Sequence, residues 1–172
     1  ELMEKILDKI QSENPSAIVF LYGNSEIFLH PRVPECITSI KRRGLHPEMS
    51  TNLNYLQRLD ETLEAGPDYI IVSLSGFTQE IYERGHTGGN IEKVKENMRL
   101  MSEANSRMKN KVNMAVNFHV YNFNEHEIAP MKTFAEGLGI GFFTSLARAI
   151  SMENAIQYCR KHDPDATPFE IQ

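Results

Sequence analysis

Apolar positions along the chain recur with two alternating periods. Residues 2–11 place Met3, Ile6, Leu7 and Ile10 on one helical face, and Asn14-Pro15 breaks that pattern. Ala17-Ile-Val-Phe-Leu-Tyr22 follows as a continuous apolar run closed by Gly23. Such a run predicts a strand buried on both faces of a parallel sheet. Pro34, Ile37 and Ile40 predict a helix stopped by Gly44. Glu48-Met49-Ser50 predicts a short strand running into Thr51-Asn52, and Leu56, Leu59 and Leu63 predict a helix ended by Gly66. Tyr69–Ser73 reads as a strand, and Asn90 caps a long helix carrying Ile91, Val94, Met98 and Met101. Val112–Val120 reads as a strand with polar positions at Asn113, Asn117 and His119. Asn124 with Glu127 predicts a capping box opening a helix through Ile128, Met131 and Phe134. Gly141–Leu146 is the fifth strand, and Ser151 opens a last helix through Ala155, Ile156 and Cys159. Residues 163–172, with two prolines, read as a tail, so residues 1–162 are expected to form one domain.

Five strands each followed by a helix imply right-handed crossovers and a parallel sheet. Periodicity leaves open whether that sheet is doubly wound or part of a barrel. No GxGxxG follows the first strand and no GxxxxGK[ST] occurs, which removes the two commonest nucleotide-binding readings. In either architecture function gathers at the carboxyl ends of the strands. Those ends carry Gly23-Asn24-Ser25-Glu26, then Ser50-Thr51-Asn52, then Ser73 and Ser75-Gly76, then Asn117, His119 and Asn122, and last Thr144, Ser145 and Arg148. Uncharged hydrogen-bonding groups with one carboxylate suit a polyhydroxylated, zwitterionic small molecule. Glu26 can pair with an ammonium group and Arg148 with a carboxylate. Against this stands the ordinary use of Ser, Asn and Gly in turns.

Composition narrows the field. The 172 residues are 41% hydrophobic and 24% charged with net charge −5, which is ordinary globular composition without the basic excess of a nucleic-acid binder. The one basic run, Lys41-Arg42-Arg43, ends a predicted helix and suits its terminal carbonyls. No apolar run approaches the length of a membrane span, and no signal peptide is visible. Two cysteines, Cys36 and Cys159, fall on the apolar sides of predicted helices and are expected to be reduced core residues of a cytoplasmic protein. The six histidines show no HxxxH or HxH spacing, so no protein-bound zinc is expected.

The strand ends carry a resemblance. Leu21-Tyr-Gly-Asn-Ser-Glu-Ile-Phe-Leu-His-Pro31 resembles the GGEPLLHP segment of radical SAM enzymes. Ser50-Thr-Asn52 is similar to that family's Ser/Thr-Asn turn, Val72-Ser-Leu-Ser-Gly-Phe-Thr-Gln-Glu-Ile-Tyr-Glu83 to its SLDG…E.Y segment, and Gly88-Gly-Asn-Ile-Glu-Lys-Val-Lys-Glu-Asn97 to the helix start that follows. The resemblance implies a partial (β/α)6 TIM-like barrel of which strands two to six are present. It also implies S-adenosylmethionine bound at the strand ends. Gly23, Asn24, Ser25 and Glu26 would lie at the methionine amino group, and Ser73 and Ser75 near ribose and carboxylate. Asn117 and His119 would approach cofactor or substrate, and Ser50 and Asn52 belong to the same cradle. The substrate, a small molecule or a peptide, is not readable.

Three departures matter. Ser25 stands where glycine is usual, Ile27 where proline is common and Ser75 where aspartate is common. The family's CxxxCxxC loop, which holds a 4Fe-4S cluster, does not occur in these residues, and Cys36 and Cys159 cannot replace it by spacing. The expectation is that this loop lies upstream of Glu1. A full-length enzyme would then generate a 5′-deoxyadenosyl radical for hydrogen abstraction, with this chain inactive alone. Two alternatives remain at this level. One is a cluster-free relative acting as a binding module. The other is an unrelated (β/α) barrel acting on a sugar or phosphate compound.

Overall fold

The computed structural model describes residues 2–21, 23 and 25–146. Five strands, β1 (Ile18–Phe20), β2 (His46–Thr51), β3 (Tyr69–Leu74), β4 (Asn113–Val120) and β5 (Gly141–Leu146), form one sheet. They lie side by side in chain order, and every neighbouring pair is parallel. A doubly wound sheet would reverse its order at a switch point. No reversal occurs among the described strands, so the sheet is wound as a barrel wall.

Burial within the strands shows where the helices sit. In β3, Ile70, Val72 and Leu74 are fully buried, whereas Tyr69, Ile71 and Ser73 are half-buried. In β4, Met114, Val116 and Phe118 are buried, whereas Asn117 and His119 are half-buried. The buried set packs into one core with Ile37 of α2 (Val33–Lys41), Leu63 of α3 (Leu59–Glu64), Met98 and Met101 of α5 (Ile91–Arg107), and Met131 of α6 (Ile128–Gly137). Each such side chain contributes about 1.5–3 kcal/mol on burial. The opposite strand face carries no helix from this set. α1 (Leu2–Glu13) adds a satellite cluster in which Leu7 meets Ile40 and Leu45. Arg43 ties the two helices together, reaching Glu4 at 2.7 Å and Asp8 at 2.6 Å while bonding the Ser39 carbonyl at 3.0 Å. Gly44 and Gly66 end α2 and α3 in the left-handed region, both at φ +74°.

Several local expectations change. The run Ala17–Tyr22 forms only a three-residue strand, and Ile18 and Phe20 are 51% and 54% exposed rather than doubly buried. Among the described strands β1 lies at the edge of the sheet. α4 (Gln79–Gly85) has no counterpart in the sequence reading, because its seven residues hold too few apolar positions to show a period. Leu56 lies before α3, in the loop. Asn124 and Glu127 do not form a capping box: a 3₁₀ turn occupies Glu125–Glu127, and both side chains bond elsewhere. Cys36 is half-buried rather than core, and burial pushes its thiol pKa up. The helix expected from Ser151, with Cys159, and the tail at 163–172 lie outside the described residues. Among the described residues no helix is long and apolar enough to cross a membrane.

Phe118 is wholly buried between the sheet and the helices, with Phe142 6.1 Å away, whereas Leu100 is 43% exposed on α5. Phe118→Ala is expected to cost about 3–5 kcal/mol in urea denaturation, and Leu100→Ala less than about 0.5 kcal/mol. Equal costs would refute the assignment of the helices to one face.

Candidate functional site

The helix-free face gathers polar groups towards the carboxyl ends of the strands. Ser50 Oγ meets Ser73 Oγ at 2.8 Å, joining β2 to β3. Ser73 pairs in register with Asn117 on β4, and His119 with Ser145 on β5. Ser145 Oγ donates to Asn117 Oδ1 at 2.7 Å and lies 3.4 Å from His119 Nδ1. Ser50, Ser73, Asn117 and His119 therefore stand on one face, as the period-two alternation of strands requires.

Glu26 occupies the mouth of β1. Its carboxylate accepts from Phe28 N–H at 3.1 Å, Thr51 Oγ1–H at 2.6 Å and Asn52 N–H at 2.7 Å. It thus staples the loop after β1 to the end of β2. A carboxylate has about four acceptor positions, so one remains for a ligand donor. Gly23, Ser25 and Glu26 line a cavity of about 380 Å³ with His30 and Cys36. Asn24 and Arg148 lie outside the described residues. Asn52 Oδ1 accepts from Asn54 N–H at 2.9 Å. Next to it Leu53 is fully buried at φ +54°, in the left-handed region. Such a conformation costs roughly 1–3 kcal/mol in a non-glycine residue. Leu53 N–H bonds Thr51 Oγ1 and its carbonyl accepts from buried Asn97 Nδ2, and these bonds hold it there.

Ser75 stands apart from the other candidates. It is 1% exposed, and its Oγ meets His86 Nδ1 at 2.9 Å rather than facing open space. The sequence reading passed over His86. It also passed over two residues that hold the same strand end from behind. Buried Glu127 accepts from Phe77 N–H and from Thr78 N–H and Oγ1–H. Asn124 donates to the carbonyls of Ser75 and His119 at 2.8 and 2.9 Å and accepts from Tyr121 N–H. Their spacing had suggested a helix cap, and only the tertiary fold shows them bridging β3 and β4. Among the described residues no group of three His, Cys, Asp or Glu side chains could hold a metal ion. A larger hollow of about 540 Å³, lined by Glu4, Glu35, Arg42 and Arg58, belongs to the helical side.

Both histidines of this region are kept neutral. Burial is the main cause for His86, whose pKa falls to about 4, and nearby His119 pushes it the same way while Ser73 opposes. Burial also lowers His119. The unfolded chain takes up a proton at His86 near pH 6.5, while the folded chain resists until about pH 4. Stability contributed by neutral His86 is therefore intact above about pH 6.5 and lost as pH falls towards 4. The loss amounts to about 3 kcal/mol when complete. His86→Gln should flatten the stability-against-pH curve over this window in urea denaturation, compared with wild type. An unchanged slope would show that His86 titrates normally.

The model of the Radical SAM superfamily matches residues 1–130. A curated protein of Pyrococcus furiosus, the tungsten-containing aldehyde ferredoxin oxidoreductase cofactor-modifying protein, is 25% identical over 146 residues, 81% of this chain and 40% of that protein. Streptococcus suis SuiB, solved bound to S-adenosylmethionine, superposes with TM-score 0.66 at 11% identity over 87% of this chain and 34% of its own. SuiB has also been solved bound to the precursor peptide SuiA. The enzyme anSMEcpe with bound AdoMet superposes with TM-score 0.61 at 12% identity, covering 92% of this chain and 49% of its own. The chain thus spans less than half the length of these relatives. At such identities the structural likeness speaks for the fold, a TIM-like barrel wall. The family match covers most of the chain and sets aside an unrelated sugar- or phosphate-processing barrel: the chain belongs to the radical SAM superfamily.

Proposed function

We propose that the helix-free face binds S-adenosylmethionine at the carboxyl ends of its strands, within a radical SAM enzyme longer than these residues. The observation that carries this reading is the row Ser50, Ser73, Asn117, His119 and Ser145, set on one face by register. Neutral hydroxyl, amide and imidazole groups match ribose hydroxyls and a purine edge. Glu26 keeps an acceptor position for the methionine ammonium beside Gly23 and Ser25. Asn24 and Asn52 complete the cradle in this reading. Ser75 belongs to it through His86 and not by direct contact.

The residues present do not supply a 4Fe-4S ligand set. The chain has two cysteines, 123 positions apart (159 − 36), and family clusters require three thiolates. The ligands would come from outside these residues. The cluster with S-adenosylmethionine would furnish the 5′-deoxyadenosyl radical that abstracts a substrate hydrogen. No step of that chemistry is assigned to a side chain of this chain, whose part is binding and shielding. The substrate is a small molecule or a peptide. Ser25 and Ser75, where the family favours glycine and aspartate, lend support to the second reading, a cluster-free binding module.

The test uses the full-length protein after anaerobic iron and sulfide reconstitution, with S-adenosylmethionine binding followed by calorimetry. Binding is expected, and Glu26→Gln should weaken it by about 1–3 kcal/mol, the range for a lost charge-assisted hydrogen bond. Unchanged affinity would confine Glu26 to stapling the loop. Absence of binding by the folded wild type would refute the cofactor reading. Binding without release of 5′-deoxyadenosine under reducing conditions would favour the binding module.

A further inference from the structure

Asn52, Ser73 and Ser75 come from different strand ends, yet two rings that belong to neither strand connect them. Tyr82 lies on α4 and is fully buried, and His86 follows the last turn of that helix. The rings stack with centroids 4.6 Å apart and planes 8° from parallel. On one side Tyr82 Oη accepts from Asn54 Nδ2 at 2.6 Å, and Asn54 is held by Asn52 Oδ1. On the other side His86 Nδ1 meets Ser75 Oγ at 2.9 Å, and the Ser73 main chain lies close enough to favour the protonated form of the same imidazole. Ser73 Oγ in turn meets Ser50 Oγ. A continuous line of contacts therefore runs from the end of β2 to the end of β3 through the stacked pair.

Three glycines let the backbone close on this pair. A Cβ at Gly85 would lie 2.2 Å from Ser75 Oγ, one at Gly89 2.7 Å from Tyr82 Cε1, and one at Gly76 2.4 Å from Tyr82 N. Packing this tight gives the rings and Ser75 no room to reorient. A seven-residue helix needs no such device merely to bury one tyrosine. The arrangement fixes the orientation of strand-end groups that the fold leaves half-exposed.

We propose that His86 is a positioning residue for the ligand site, its imidazole backed by Tyr82 and holding Ser73 and Ser75 in the orientation that binding requires. This rests on the reading of the strand ends as the S-adenosylmethionine site. Neutral imidazole suits the task because it offers one acceptor and one donor on a flat ring. A neutral ring can take the tautomer in which Nδ1 accepts from Ser75, and the ring face remains for the stack. Phenylalanine would keep the stack and lose the bond to Ser75. Glutamine would keep a donor and an acceptor and lose the stack.

The test measures S-adenosylmethionine dissociation constants and thermal midpoints of the full-length, cluster-loaded protein in parallel. The variants are His86→Phe, Ser75→Ala and the double variant. His86→Phe should retain a midpoint within a few degrees of wild type while losing about tenfold in affinity, the scale of one lost hydrogen bond. Ser75→Ala should lose affinity as well, and the double variant should be little worse than His86→Phe alone, because the two side chains act through one contact. A folded His86→Phe with wild-type affinity, or strictly additive losses, would overturn the role. Should His86→Phe not fold, unchanged affinity in Ser75→Ala overturns it equally. A wild type that binds no S-adenosylmethionine instead removes the underlying reading of the site.

Discussion

Every strand of this sheet has two faces, and the described helices pack on only one of them. That division follows from a chain-order parallel sheet whose right-handed crossovers all return on the same side. Ile70, Val72 and Leu74 then have to be apolar, since they meet α5 and its neighbours. Ser73 between them faces away from these helices, half-buried, with its Oγ on Ser50 Oγ. The same alternation in β4 buries Val116 and Phe118 and leaves Asn117 and His119 half-exposed. The core and the candidate site are thus products of one constraint, and each strand contributes to both.

A second requirement arises at the carboxyl ends, where the ladder stops and backbone N–H groups lose their partners. Two loop carboxylates meet it. Glu26 takes the N–H groups of Phe28 and Asn52, and Glu127 takes those of Phe77 and Thr78. Asn124 supplies the complementary donors, to the Ser75 and His119 carbonyls. Buried side-chain polar atoms among the described residues all have partners, so the loops around the site are held without orphaned groups.

The sequence made the elements legible where period and length were strong. α5 spans seventeen residues with apolar spacing throughout and an Asn90 cap whose side chain accepts from Lys93 N–H. β3 and β4 were equally plain, and the barrel resemblance was carried by ordered motifs that the family match later covered. β1 misled because an apolar run does not show which of its faces is covered: Val19 packs against the α1 cluster, while Ile18 and Phe20 are about half exposed. α4 was invisible because seven residues are too few for a helical period to emerge. Asn124 and Glu127 had the spacing of a cap, and local spacing cannot distinguish a cap from a bridge to a strand fifty residues away.

Ser73 and Ser75 show where sequence reasoning stops. Both have the parity that faces away from the helices, and both stood among the expected contacts. Parity holds only while the strand lasts, and β3 ends at Leu74. Beyond it the chain turns at Gly76, close enough to Tyr82 that no Cβ fits, and carries Ser75 inward beneath His86. Ser73 therefore stays half-buried on the strand while Ser75 is buried against His86. Whether a strand-end serine faces the open side depends on where the strand terminates, and here a glycine contact and a histidine eleven residues away turn Ser75 from it.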